Sequence, residues 1–172
     1  DSVLSDGKLD FAIFSEWQPH PNLSYEHLID EEIVLILPKN HELTEKAVYR
    51  DGFRYPWIDL KLLADTPFIL HFPDQNTGRS SEQLFEQYNI QPPVPFRTRN
   101  SQLCIQLTAE NLGVCLAPET YALHSSSMLP ISICSVGEKP IVNRLVLAYR
   151  KNSYLSTYAL DFIKIAKTCL KR

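Results

Sequence analysis

Glycine is scarce in this sequence and scattered. Gly7, Gly52, Gly78, Gly113 and Gly137 are the only five, and no two share a loop. A P-loop or a G-x-G-x-x-G turn needs clustered glycines so that backbone N–H groups can approach phosphates, so neither is encoded. The four cysteines, Cys104, Cys115, Cys134 and Cys169, form no C-x-x-C pair, and each sits in apolar sequence. That pattern argues against a disulfide framework or a structural zinc site and for reduced, buried thiols in a cytosolic protein. His20, His27, His41, His71 and His124 show no H-E-x-x-H or other metal-ligand spacing. No metal and no cofactor are therefore expected. An excess of basic charge is missing too: Lys+Arg 17 against Asp+Glu 20 leaves a net charge of -3, the wrong sign for neutralising nucleic-acid phosphates. No apolar run approaches the roughly 18 residues of a membrane span, and the N-terminus lacks the charged-then-apolar pattern of a leader. The expectation is a cytoplasmic protein without membrane contact.

What is present is ordinary globular composition. Of 172 residues, 44% are hydrophobic and 22% charged, enough for one medium domain or two small lobes. Ser2 to Gly7 reads as the last turn of a helix closing on glycine, which implies that something precedes it. Leu9 to Phe14 suits a short buried strand. A loop with Pro19 and Pro21 leads to Glu32–Leu37, an apolar run fitting a strand covered on both faces and ended by Pro38. Residues 42–57 are polar and irregular, with turn chemistry at Asp51-Gly52. Leu60 to Asp65 reads as a helical turn, and Pro67 to Phe72 as a strand. The segment 73–78 is a loop, after which Ser80-x-x-Gln83 forms a capping box for a helix carrying Leu84, Phe85 and Tyr88. Pro92-Pro93 stops that helix, and Val94 to Thr98 is extended. A second helix, capped by Asn100 or Ser101, ends at Gly113. Strand-like runs occur next at Val114–Ala117, Leu129–Ile133 and Leu145–Tyr149. The final helix shows Tyr158, Phe162, Ile165 and Cys169 on one face, which reads as packing. Strands alternate with helices, so the fold class is α/β with largely parallel sheets. There is no internal repeat.

Four segments in order resemble the effector-binding domain of LysR-type transcription regulators. They are Gly7-Lys8-Leu9-Asp10-Phe11-Ala12-Ile13; Leu37-Pro38-Lys39-Asn40-His41-Glu42-Leu43 with the acidic strand before it; Leu63-Ala64-Asp65-Thr66-Pro67-Phe68-Ile69; and Asn111-Leu112-Gly113-Val114-Cys115-Leu116-Ala117-Pro118. The resemblance spans nearly the whole chain. Two departures stand out: Glu110-Asn111 replaces the family's small residue and glycine, and residues 45–57 form a longer connection. The resemblance implies two Rossmann-like lobes joined by two crossovers, as in type 2 periplasmic binding proteins. Lobe I would take residues 1–66 and 140–172, without the family's first strand and helix, and lobe II residues 67–139. It further implies a small-molecule effector held in the cleft between the lobes, and DNA contact only through a winged helix-turn-helix outside this sequence. A homodimer or homotetramer is implied as well.

Candidate effector contacts are polar groups at strand ends and helix starts. Thr77, in Asn76-Thr77-Gly78-Arg79, could place a hydroxyl and free N–H groups on a carboxylate or oxyanion, or it could merely shape the turn. The family's sulfur-metabolism regulators have a similar Thr-Gly-Arg whose threonine contacts the anion. Thr98, Asn100 and Ser101 sit at the next strand-to-helix junction, where the family lines its pocket; Asn100 or Ser101 could equally be a plain helix cap. Gln106 lies one turn further on and could face the cleft or solvent. Ser15, with Phe14, ends the first strand and could form the opposite wall, although Phe14 reads as core. Arg79, Arg97 and Arg99 could pair with an anion, but Arg97 and Arg99 share one strand face that reads as solvent. His71 is a lone histidine at a strand end. No paired carboxylates or Ser/His/Asp arrangement points to catalysis, so no catalytic residue is assigned. The alternatives are a prephenate dehydratase-like enzyme on the same fold, against which Asn100 stands where that motif has phenylalanine, and an extracytoplasmic solute-binding protein.

Overall fold

The apolar run at residues 33–37 is the C-terminal part of the longest strand among the described residues. In the computed structural model, which describes residue 4 and residues 9–15 and 19–170, this strand, β2, runs Leu23–Pro38. It starts ten residues before the apolar run, and Leu23 and Leu28, five residues apart, are buried on opposite faces, Leu23 with Ala148 and Leu28 with Leu147 and Ile163. The helix end expected at Ser2–Gly7 lies outside the described residues.

The chain divides into two compact units, residues 1–31 with 143–172 and residues 32–142. β2 passes through the first division. Residues 32–66, assigned to lobe I from the sequence, fall in the second unit. Ile33, Leu35 and Leu37 pack there in one cluster with Leu43, Ile58, Leu60 and Leu63, together with Phe68 and Leu70, so that segment shares its core with the strand after it.

In the first unit β1 (Phe11–Ser15) pairs antiparallel with β7 (Val142–Arg150), Phe11 opposite Tyr149 and Ser15 opposite Leu145. Helix α4 (Thr157–Leu170) closes the unit. Its buried residues are Ala159 and Ile163, and Ile163 packs with Leu28 and Leu147. The stripe expected to pack lies one residue earlier, about 100° around the helix. Tyr158 is 74% exposed, Ile165 61%, and Cys169 is exposed rather than buried. Phe162 stacks on Phe11 at 4.8 Å.

The second unit holds β3 (Phe68–His71), α1 (Asn76–Tyr88), β4 (Phe96–Thr98), α2 (Ser101–Ala109), β5 (Val114–Pro118), α3 (Glu119–Ser126) and β6 (Ile131–Cys134). Short 3₁₀ turns at Glu42–Lys46 and Leu60–Leu63 precede them. β3 pairs parallel with β4 on one side and with β5 on the other. β2, by contrast, pairs antiparallel with both β5 and β6, so the sheet is mixed rather than largely parallel. All four residues of β3 are buried, as expected for a strand covered on both faces.

One helix end and one whole helix depart from expectation. α2 ends at Ala109, and Asn111, at φ 61, takes the left-handed position beyond it. Gly113, at φ 153, is needed for another reason as well: a Cβ there would come within 2.6 Å of the Pro67 carbonyl oxygen. α3 lies in the stretch without apolar periodicity. It is fixed by Ala122 and Ser125, both fully buried, and by Glu119 at its first position. Among the described residues, no helix is long and apolar enough to cross a membrane.

Candidate functional site

β3 lies between β4 and β5, so the chain leaves it on one side through α1 and returns to its other side through α2. The crevice outside the carboxyl ends of parallel strands opens at such a reversal. His71 ends β3 and Thr98 ends β4, and the two are register partners. The first turns of α1 and α2 come directly after them.

α1 begins at Asn76, four residues before the capping box read from the sequence. Its cap residue, Gln75, makes no side-chain capping bond. The Gln75 amide donates instead to the Arg99 carbonyl at 3.2 Å, tying the two strand-to-helix loops together. Gly78 explains the early start: a Cβ there would lie 2.1 Å from the Phe72 oxygen and 2.9 Å from the His71 oxygen. Only glycine lets the first turn settle on the end of β3. Thr77 is therefore a buried residue of the first helical turn, not a loop residue. The Ser81 hydroxyl donates back to the Thr77 carbonyl at 2.8 Å.

At the second junction the Thr98 hydroxyl accepts from the Asn100 N–H at 3.1 Å. The Asn100 side chain accepts from the Leu103 N–H at 3.1 Å, which makes Asn100 the helix cap. Ser101 is the first residue of α2, and its Oγ lies 2.9 Å from His71 Nε2. His71 is 2% exposed, and burial pushes its pKa below 6.5, with the Leu116 carbonyl opposing. At neutral pH the ring is uncharged.

Thr77, Thr98, Asn100 and Ser101 thus lie at the adjacent β3–α1 and β4–α2 junctions. Gln106 is exposed on α2, and its carbonyl accepts from the Glu110 N–H near the helix end. Ser15 belongs to the first unit, half-buried opposite Leu145. Phe14 is partly buried against the Leu23 and Ala148 cluster, edge-on to Tyr25 at 6.4 Å. The strand arginines are engaged locally. Arg97 pairs with Glu82 at 2.7 Å and donates to the His71 carbonyl at 3.1 Å. Arg99 pairs with Asp74 at 2.8 Å and lies over the Phe72 ring. The Arg99 hydrogen bond holds the Asp74 carboxyl below its usual range, and Arg79 on α1 adds to that lowering.

Sequence reasoning missed an ionic cluster around a buried carboxylate elsewhere in this unit. Glu119 is 1% exposed, and one nitrogen of Arg54 donates to both its oxygens at 2.7 and 2.8 Å. The Tyr55 hydroxyl donates to the same carboxylate at 2.7 Å. Burial and that bond push the Tyr55 pKa up to about 12. Burial also raises the pKa of Glu32. The available signal was an acid directly after Pro118, a helix-start pattern. An open groove of about 480 Å³ lies between Ser80, Gln83 and Gln87 of α1 and residues 137–142. None of the predicted contacts lines it, and its walls carry long, flexible side chains, so the strand-end cluster is the better-defined candidate site.

The family model for the LysR substrate binding domain matches residues 2–170. The chain belongs to that family. As a LysR substrate-binding domain it is 26% identical over 182 residues to the HTH-type transcriptional regulator YcgK of Bacillus subtilis, covering 100% of this chain and 55% of that protein. It is 24% identical over 169 residues to the malolactic fermentation system transcriptional activator of Lactococcus lactis, covering 97% and 55%. The chain therefore spans about half the length of these curated relatives. Among solved structures, the effector binding domain of QuiR in complex with shikimate superposes with a TM-score of 0.78 at 24% identity, covering 98% of this chain and 75% of that one. The Synechocystis CcmR regulatory domain in complex with 2-PG superposes with a TM-score of 0.83 at 20% identity, covering 99% and 78%. These likenesses establish the periplasmic-binding-protein-like fold.

Proposed function

We propose that this domain is the effector sensor of a LysR-type transcription regulator. In this reading it binds a small anionic metabolite in the cleft between its lobes. The resulting lobe rearrangement is relayed to a winged helix-turn-helix carried elsewhere in a cytoplasmic homodimer or homotetramer. DNA contact belongs to the rest of the protein, in keeping with the net charge of -3 and with relatives twice the chain's length. The role is sensing rather than catalysis, as the regulator names of the relatives suggest.

The observation that carries the anion preference is the convergence of two helix N-termini on the carboxyl ends of β3 and β4, beside Thr77, Thr98 and Ser101. Each N-terminus carries the equivalent of about half a positive charge and orphan N–H donors. Arg97 and Arg99 are neutralised by Glu82 and Asp74, so the helix termini and hydroxyls supply the attraction. The shikimate and 2-PG complexes of two structural neighbours support a small-molecule effector.

The test is a thermal-shift screen of the domain against small carboxylates, aromatic acids and oxyanions, because a ligand that binds only the native state raises its stability by mass action. A saturable shift that Thr77→Ala and Ser101→Ala both abolish supports the site. Ligand affinity unchanged in both variants would remove it. Turnover of prephenate would replace the sensor reading with the dehydratase one.

A further inference from the structure

Glu32 is the first residue of the second compact unit, on the strand that runs through both. Along β2 the side chains alternate. Ile33, Leu35 and Leu37 enter one core cluster, while Val34 and Ile36 enter another with Tyr55 and Ala117. A period of two puts Glu32 on the Val34 face. Ile33 pairs with Pro118 in the antiparallel register, so the next rung sets Glu32 beside Glu119. Two carboxylates therefore meet on one face, at 7% and 1% exposure. Their partners are unequal. Arg54 and Tyr55 donate to Glu119. Glu32 Oε1 is buried and makes no hydrogen bond in the described structure. The Ser135 hydroxyl, which the Leu35–Cys134 register places diagonally across the same face, is buried and unbonded as well.

A carboxylate out of water needs donors to stay ionised, and a like charge beside it works against ionisation. One guanidinium cannot balance two neighbouring carboxylates. The other charged groups near this stretch of β2 act elsewhere: Glu31, on the opposite face, accepts from Asn143 at 2.8 Å, and Arg144 pairs with Asp30. Tyr55, with its pKa pushed up to about 12, stays protonated at neutral pH. We infer that Glu32 is a proton-dependent latch on β2. Protonated, it is a neutral side chain packed beside Glu119; ionised, it sets a second negative charge against the first and loosens the rungs around it. The rung next to it is the Ile33 N–H, which donates to the Ile141 carbonyl at 2.8 Å and ties β2 to the segment entering β7. Burial holds the Glu32 pKa above its ordinary value, the Glu119 charge adds to that, and Arg54 opposes it. A folded pKa above the unfolded one gives stability that is full below the unfolded value of about 4.3 and is lost as pH rises through the folded pKa. The sign is opposite to that of His71.

The test compares the unmodified chain with Glu32→Gln, which keeps the shape and cannot ionise. ¹³C NMR of the side-chain carboxyls reads the Glu32 titration, and amide hydrogen exchange reads the Ile33 protection factor between pH 5 and 8. The expected results are a Glu32 midpoint above the ordinary glutamate value and an Ile33 protection factor that falls by more than about twofold as pH rises. In Glu32→Gln the same factor should stay within about twofold, the scatter of a neutral substitution, and at pH 8 the variant should be the better protected of the two. His71 titrates in both proteins, so the difference between them isolates Glu32. The titration of the unmodified chain decides alone if Glu32→Gln does not fold. A Glu32 midpoint at or below about 4.3, or the same protection profile in both proteins, overturns the latch.

Discussion

Glu119 and His71 are equally hidden, at 1% and 2% exposure, yet their surroundings leave different things undone. Glu119 receives Arg54 on both oxygens and Tyr55 on one. Both carboxylate oxygens are taken by protein donors, and the cluster fastens residues 54–55 to the start of α3. His71 meets a single hydroxyl at the mouth of two helices, one of whose first turns has no capping side chain. A buried polar group whose partners are all protein is holding the fold. One with a single bond at the strand ends, where two helices begin, is placed for something that arrives later.

The largest effect should come from opening the closed cluster. Arg54→Met leaves Glu119 buried with Tyr55 alone and should cost about 3 kcal/mol in urea unfolding; a loss below about 0.5 kcal/mol would mean the cluster is not structural. Next comes Gly78→Ala, which drives a methyl into the Phe72 carbonyl. It should cost about 2 kcal/mol and also abolish any acid-induced thermal shift, which Arg54→Met should not. Asn100→Ala should remove about 1 kcal/mol as a lost cap, readable as a lower melting temperature. The pH dependence separates the clusters further. His71 has a folded pKa depressed by burial, so its contribution to stability is present above the unfolded value of about 6.5 and is lost as pH falls from there through the folded pKa. Urea midpoints between pH 7 and 5 should fall less steeply in His71→Phe than in the unmodified domain. The smallest effect is on the outer face of α4: Tyr158→Ser, at a 74% exposed position, should change stability by less than about 0.5 kcal/mol.

Strands with strong apolar runs were legible, because burial on both faces writes itself as an unbroken run: β3 and β5 appear nearly as read, and the buried half of β2 likewise. Pairing direction was not legible, since antiparallel β2 and parallel β3 carry the same kind of run. The start of α1 was misplaced because Ser80-x-x-Gln83 is a local signal, whereas the true start is set by Gly78 against a carbonyl close in sequence but on another element. α3 was invisible because a polar carboxylate and a serine, not periodic apolar residues, hold it down. In the site, Thr77, Thr98, Asn100 and Ser101 were readable as strand-end and helix-start residues. The role of His71 was not, because a bond to a residue 30 positions away leaves no trace in local pattern.

The measurement that bears most directly on the central claim is an amide NMR titration of the domain with an acid that gives a saturable thermal shift. The account predicts the largest perturbations at the backbone amides of Asn76, Thr77, Gly78, Ser101 and Gln102, with the Arg54–Glu119 region quiet. Perturbations centred instead on the groove at residues 137–142, or on no contiguous set at all, would contradict it.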